Sequence, residues 1–413
     1  MIKELCIKAK LASIQMSKLS QGKKNNALYK MAEALEANSE QILKANKIDI
    51  EAAKSKDLKA SLLDRLSLDQ KKIQTMANEL REVATLEDPV GSVLATWTRP
   101  NGLIISQLRV PIGVVGVIYE SRPNVTSDSA GICIKSGNAV ILRGGSDALH
   151  SNVAIGDVLR ETLLSTNLPI DAIQIVNSPD RKDAEELMTM RDYIDVLIPR
   201  GGTDLIRTVI EKSRIPVVET GTGNCHIYVE KNADLEKATP IIINAKVQRP
   251  GVCNALEKLL IDRKIANQYL PVIIEELRKN CVEVRGDDIT RTIIPEVKAA
   301  TEQDWYTEYL DLVISIKVVD CLDEAIAHIN KYGTHHSESI ITRDFEKAKR
   351  FLKEIDSAAV YWNASTRFTD GNQFGLGAEI GISTQKLHAR GPMSIQHLTT
   401  TKYVVIGNGQ IRK

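Results

Sequence analysis

Six cysteines stand at positions 6, 133, 225, 253, 281 and 321, and one of them sits in a segment suited to nucleophilic chemistry. Cys253 lies in the run Lys246-Val247-Gln248-Arg249-Pro250-Gly251-Val252-Cys253-Asn254-Ala255. Pro250 and Gly251 break a preceding helix, so the sulfur falls on a loop that can face a cleft. Lys246 and Arg249, close in sequence, would favour the thiolate, which is the reactive form. The competing reading is a small buried apolar side chain, and that is the expectation for the other five cysteines. No Cys-x-x-Cys pair occurs, so neither a zinc ribbon nor a dithiol site is expected, and a chain of this length needs no disulfide framework.

Two glycine loops carry a second kind of chemistry. Arg143-Gly144-Gly145-Ser146 and Arg200-Gly201-Gly202-Thr203 each join an apolar run to a helix-like segment. Backbone N–H groups at a helix start hold phosphate, and an adjacent arginine adds charge and forked donors. One such loop can serve only its turn; two in one sheet favour a phosphate-bearing cofactor. The usual Gly-x-Gly-x-x-Gly fingerprint is missing, because Gly375-Leu376-Gly377 is followed by Gly381, one position too late. Glu219 is either a base or a polar cap on a turn. His335 and His336 are adjacent, and neighbours on a strand point to opposite faces, so no metal is expected.

These loops need a scaffold. A chain of 413 residues exceeds the ~250–300 at which a single core stops growing, so two domains are expected. The first ninety residues read as helices, with Leu28, Met31, Leu35 and Ile42 at helical spacing. Val93–Trp97 and Leu103–Ser106 flank Arg99-Pro100-Asn101-Gly102 and predict a hairpin. Short apolar runs at 114–119, 139–143, 172–176, 195–199 and 215–219 then alternate with helical stretches, which implies a parallel sheet. From about 229 the pattern restarts. Strands are expected at 255–261, 282–284, 312–319, 338–341 and 358–362, and helices at 264–279, 322–331 and 344–354. The fold class is therefore α/β, with two parallel-sheet units.

Charge narrows the partners. There are 54 basic and 53 acidic residues, a net of +1, which gives no reason to expect nucleic acid or an anionic membrane. No apolar run approaches ~20 residues, and the start shows no secretion pattern, so a cytoplasmic protein is expected.

Several long stretches together resemble the aldehyde dehydrogenase superfamily, and within it the γ-glutamyl phosphate reductases. Val110-Pro111-Ile112-Gly113-Val114-Val115-Gly116-Val117-Ile118 is similar to the strand leading to the superfamily's active site, and Gly137-Asn138-Ala139-Val140-Ile141-Leu142-Arg143-Gly144-Gly145-Ser146 to its ribose-holding stretch, with arginine in place of lysine. Gln248–Ala255 resembles the segment around the catalytic cysteine. Ala325–Ile340, Asn363–Gly371 and Gly375–Ser383 resemble the reductase branch.

The resemblance implies a division into a dinucleotide-binding domain at 1–228, with 361–390 returning to it, and a catalytic domain at 229–360. The hairpin at 92–110 and the tail at 391–413 would form a small β oligomerisation element, giving a homo-oligomer. It implies NADPH-dependent reduction of γ-glutamyl phosphate to glutamate 5-semialdehyde, the second step of proline biosynthesis, through a thioester on Cys253. Asn124 would bind the oxyanion. Arg143, Gly144, Gly145, Ser146, Arg200, Gly201, Gly202 and Glu308 would hold the cofactor. Arg122, Arg249 and Arg367 would hold the substrate's anionic groups. Glu219 stands where the superfamily carries a water-activating base, which a reductase must keep from its thioester, so it is left outside the catalytic set. A separate glutamate kinase would supply the substrate and is a possible contact. The alternative is a hydrolytic aldehyde dehydrogenase acting on glutamate semialdehyde.

Overall fold

The computed structural model describes residues 1–56 and 60–412. Residues 57–59, within the expected first domain, and Lys413, the end of the expected tail, lie outside the described residues. The chain packs as two units. One comprises Met1–Thr220, Gly375–Gly381 and Met393–Lys413; the other comprises Gly221–Phe374 and Ile382–Pro392.

The first unit begins with helices Ile2–Met16, Gln21–Ala37, Ser39–Ser55, Ala60–Leu66 and Gln70–Thr85. Leu28, Met31 and Leu35 lie on one buried stripe of the second helix, and Ile42 is buried on the third. The hairpin follows as β1 (Val93–Thr98) and β2 (Ile104–Pro111). Its turn closes with Arg99 N–H donating to Leu103 O at 2.8 Å, and Gly102 takes φ +87°, where a side chain would be strained. The tail strand Thr399–Ile406 pairs antiparallel with the other edge of β2, making three strands. Val93, Leu94, Trp97, Tyr403, Val405 and Ile406 are exposed on this small sheet.

The parallel sheet of this unit is β3 (Val114–Tyr119), β4 (Ala139–Gly144), β5 (Ile173–Ile175) and β6 (Val196–Arg200), in the order β5-β4-β3-β6. Every residue of β3 and β4 is buried. Burial on both faces is why these strands read as unbroken apolar runs. The strand expected at 215–219 is reduced to a single bridge between Leu197 and Val217. Pro216 accepts from Leu197 N–H at 2.9 Å but has no N–H of its own to extend a ladder.

The second unit is a seven-stranded parallel sheet. Its strands are β7 (Cys225–Val229), β8 (Leu256–Asp262), β9 (Glu283–Gly286), β10 (Lys298–Ala299), β11 (Val313–Val319), β12 (Ser337–Ile341) and β13 (Ala359–Trp362), in the order β10-β9-β11-β8-β7-β12-β13. Strand alternation splits the core. Ile227, Val229, Leu259 and Ile261 pack with helices Leu235–Val247 and Arg263–Lys279, whereas Tyr228, Leu260 and Ile340 pack with Leu322–Tyr332 and Phe345–Glu354.

Two boundaries differ from the sequence reading. The expected division at 228/229 cuts through β7, a strand that pairs with both β8 and β12, so the second unit begins at Gly221. Of residues 361–390, expected to return to the first domain, only Gly375–Gly381 does so; 361–374 and 382–390 stay in the second unit. There β13 extends the sheet, and Thr366 Oγ1 donates to Asn254 O at 2.7 Å.

Candidate active site

Helix Leu235–Val247 ends three residues before Pro250-Gly251, and the following turn closes with Ala255 N–H donating to Val252 O at 3.0 Å. Cys253 sits on this turn, half-buried, immediately ahead of β8. Of the other cysteines, Cys6, Cys133 and Cys225 are buried as expected, and Cys281 and Cys321 are exposed, contrary to that expectation. Cys281 follows directly on a helix end with φ +59°, and Cys321 caps a helix, both being surface turns rather than core positions. Burial pushes the Cys6 thiol up to about 12 and the Cys225 thiol well above its ordinary value, so neither is a ready thiolate.

The turn is locked from β7's side. A Cβ on Gly223 would lie 1.4 Å from Cys253 O, so only glycine fits there. Cys225 Sγ donates to the same carbonyl at 3.2 Å. Gly223 N–H donates to Glu308 Oε1 at 2.7 Å. Glu308 is thus brought to the cysteine turn through one glycine. Burial raises its carboxyl, while the Gly223 N–H and the charges of Lys258 and Lys246 pull it back down. Gly223 has no role in the sequence reading, since its requirement is a contact thirty residues away.

Arg367 joins the same group. It lies in the short turn Thr366–Phe368, its Nε donates to Gln248 Oε1 at 3.0 Å, and its Nη1 donates to Asn254 Oδ1. Asn254 in turn donates through Nδ2 to Thr369 O at 2.8 Å. Burial first, and then the charge of Arg249, makes the Arg367 guanidinium less basic than usual. Two arginines that feel each other next to a cysteine form a setting for an anion. Lys246 departs from expectation. Instead of lending its charge to the sulfur it is fully buried, 3.3 Å from Glu257, because the helix turns it into the unit's interior.

The first unit holds the remaining candidates. Arg143 is the fifth residue of β4 and nearly buried. Its Nη2 donates to Asp180 O at 3.3 Å, and its Nε is buried with no hydrogen-bond partner among the described residues. An unsatisfied guanidinium nitrogen is costly, and a ligand oxygen would satisfy it. Gly145 follows in extended conformation, where a Cβ would meet nothing closer than 3.5 Å, and Ser146 opens a short helical turn. This loop fits a cofactor bearing ribose and phosphate. Gly144 serves packing instead, since a Cβ there would meet Asn152 Nδ2 at 2.0 Å.

The second loop differs. Gly202 caps helix Thr203–Lys212, but its N–H already donates to Glu120 Oε2 at 2.8 Å, and a Cβ on Gly201 would lie 2.6 Å from the same oxygen. Sequence reasoning missed Glu120, whose carboxylate occupies the amide that Arg200-Gly201-Gly202 was expected to offer a phosphate. Arg122 is exposed just before helix Asn124–Lys135. Asn124 Nδ2 donates to Asp128 Oδ2 at 2.9 Å, which engages one of the two hydrogens of its amide. Burial, followed by the neighbouring Glu79, raises the Asp128 carboxyl well above its usual range.

A model of the aldehyde dehydrogenase family matches residues 1–311 and 286–404. A γ-glutamyl phosphate reductase of Caldanaerobacter subterraneus is 59% identical over 406 residues, covering 98% of each chain. The crystal structure of a γ-glutamyl phosphate reductase from Thermotoga maritima superposes with TM-score 0.98 at 53% identity, covering 100% of both chains. An engineered glycolyl-CoA reductase with bound NADP⁺ shares the fold, with TM-score 0.70 at 15% identity over 98% of this chain and 96% of that one.

Proposed function

The chain belongs to the aldehyde dehydrogenase family and, within it, to the γ-glutamyl phosphate reductases; on that premise we propose that it is an oxidoreductase that converts γ-glutamyl phosphate to glutamate 5-semialdehyde and phosphate in proline biosynthesis. The observation that supports this most is the half-buried Cys253 on a turn shared with Glu308, Arg249 and Arg367.

Cys253 attacks the acyl carbon, phosphate leaves with the C–O bonding pair, and a γ-glutamyl thioester remains. Phosphate is a good leaving group, so no strong acid is needed. NADPH, when bound, supplies hydride. Collapse of the resulting hemithioacetal oxyanion releases aldehyde and returns the thiolate. Negative charge gathers on the carbonyl oxygen in both steps, and the Cys253 N–H and the Asn124 amide are the donors proposed for it. Arg122, Arg249 and Arg367 hold the carboxylate and phosphate. Arg143, Gly145 and Ser146 hold the ribose and its 2′-phosphate, and Glu308 the nicotinamide ribose. Gly144, Arg200, Gly201 and Gly202 support that binding as loop geometry.

The exposed apolar side chains of the three-stranded sheet support a homo-oligomer, since small open sheets invite pairing. A separate glutamate kinase is the proposed source of substrate, in the cytoplasm.

The test is absorbance at the NADPH band with pyrroline-5-carboxylate and NADP⁺. Reduction of NADP⁺ that requires inorganic phosphate is the expected result. Equal rates without phosphate would select the hydrolytic alternative.

A further inference from the structure

We propose that Glu257 is a positioning residue for this reaction, one that fixes the Glu308 carboxylate relative to the Cys253 turn by tethering the backbone of residues 309–310. The inference rests on the reading of Cys253 and Glu308 given above.

Glu257 and Lys258 are the second and third residues of β8, four and five positions beyond Cys253, and both are fully buried. Glu257 Oε2 accepts from Tyr309 N–H at 3.2 Å, and Oε1 accepts from Leu310 N–H at 3.3 Å. Lys258 Nζ donates to Thr307 O at 2.7 Å and lies 4.5 Å over the Tyr309 ring. Tyr309 is held further by its hydroxyl, which donates to Asp304 Oδ1 at 2.7 Å. The backbone is therefore fixed on both sides of Glu308.

Leu310 shows that the tether does more than pack a loop. Its φ is +54°, a region that residues with a side chain avoid. Its side chain is 40% exposed, so core packing does not force that conformation. Such backbone persists where surrounding groups over-determine it, and the Glu257 carboxylate, which accepts from both Tyr309 and Leu310, is positioned to do so. The consequence is a closed circuit within one unit. It runs from Cys253 along the chain to Glu257, across to residues 309–310, through Glu308 to Gly223 N–H, and from Gly223 back onto the Cys253 carbonyl.

A buried carboxylate is expensive unless compensated. Lys246, 3.3 Å away, supplies opposite charge, and its Nζ has no hydrogen-bond partner among the described residues. Its contribution is therefore charge: burial raises the Glu257 carboxyl, to about 7, while Lys246, Lys258 and the two amides it accepts from all pull it back down.

The experiment is a double-mutant cycle on Glu257→Gln and Glu308→Gln. It reads NADPH dissociation by calorimetry, kcat and KM for NADPH, and hydrogen exchange of the Tyr309 and Leu310 amides in ligand-free protein. Glutamine keeps the size but loses the charge. E257Q is expected to weaken NADPH binding about tenfold, the scale of losing a charged acceptor. KM should rise more than kcat falls, and exchange at 309–310 should quicken. The double variant should bind no more weakly than E308Q alone, because Glu257 acts through Glu308. Should E257Q fold poorly, K246M/E257Q removes both charges of the pair, leaving Lys258 on Thr307 O and over the Tyr309 ring, and it should show the same loss. Additive losses in the cycle, or unchanged exchange at 309–310, would overturn the positioning role. Quickened exchange in E257Q with NADPH affinity unchanged in E308Q would instead overturn the cofactor role of Glu308, leaving the tether standing.

Discussion

The cysteine turn of the second unit and the two glycine loops of the first share a composition, glycine within two residues of arginine near the end of a secondary element, and serve opposite ends. At the turn, Gly223 is demanded by the backbone of the nucleophile itself, with a Cβ 1.4 Å from Cys253 O. At the loops, one glycine is demanded by a packed asparagine and another presents its amide to Glu120. Glycine beside arginine therefore does not by itself mark a phosphate cradle. What matters is the atom each glycine faces, and that atom lies far along the chain.

The largest expected effect separates the units by chemistry. Cys253→Ala should remove phosphate-dependent turnover by at least ~10⁴-fold while calorimetry still detects NADPH binding. Turnover surviving within tenfold would remove the covalent step, and loss of NADPH binding would mean the sulfur is needed for the fold.

Next comes glycine against glycine. Gly223→Ala must push the Cys253 backbone aside, so activity should fall about a hundredfold, as displacing an oxyanion donor does. Gly145→Ala has room, with its nearest neighbours at 3.5 Å and backbone that alanine adopts, so stability to denaturant should change by less than about 0.5 kcal/mol. Equal losses at the two positions would erase the contrast.

The loops themselves can be compared. Arg143→Ala should weaken NADPH about tenfold and NADH less, since a guanidinium pairs with the extra phosphate. Glu120→Gln should tighten NADPH a few-fold, because it removes negative charge from the start of helix Thr203–Lys212. An unchanged affinity in Glu120→Gln would mean that no phosphate approaches Gly202.

Much of the scaffold was legible in the sequence for a stated physical cause. β3, β4 and β8 are buried on both faces, and such strands must be apolar throughout apart from compensated exceptions such as Glu257 and Lys258. β7 was missed because Cys225-His226-Ile227-Tyr228-Val229 carries polar types inside the core. His226 is admitted there by Glu338, 112 residues away, whose Oε2 lies 3.1 Å from its Nδ1. Cys253 was found through its neighbours, Pro250 and Gly251. Gly223, Glu120 and Glu257 were not, because their partners stand 30, 82 and 52 residues away and no local pattern carries such a pairing.

The smallest effect concerns pH, and it divides the units by what they bury. The second unit encloses His226 and His328, whose rings stack edge-on at 5.6 Å. Burial first, and then nearby positive charge, lowers His226 to about 3 and His328 to about 2. Both are therefore neutral in the fold, whereas the unfolded chain protonates them near 6.5. Stability from this source is complete above that value and is lost as pH falls toward the folded values. Between pH 7 and pH 6 the two together should lower unfolding stability by about 1 kcal/mol. Hydrogen exchange should place the first acid-induced opening in the second unit, around β7 and helix Leu322–Tyr332. Replacing His328 with Phe, which stays aromatic but cannot take a proton, should flatten part of that slope. A slope that persists in full in His328→Phe would remove His328 from this account and leave the slope to His226 and to His336, which burial lowers to about 4; the partly buried carboxyls Asp128 and Glu79 of the first unit have raised values, gain stability as pH falls and cannot supply it.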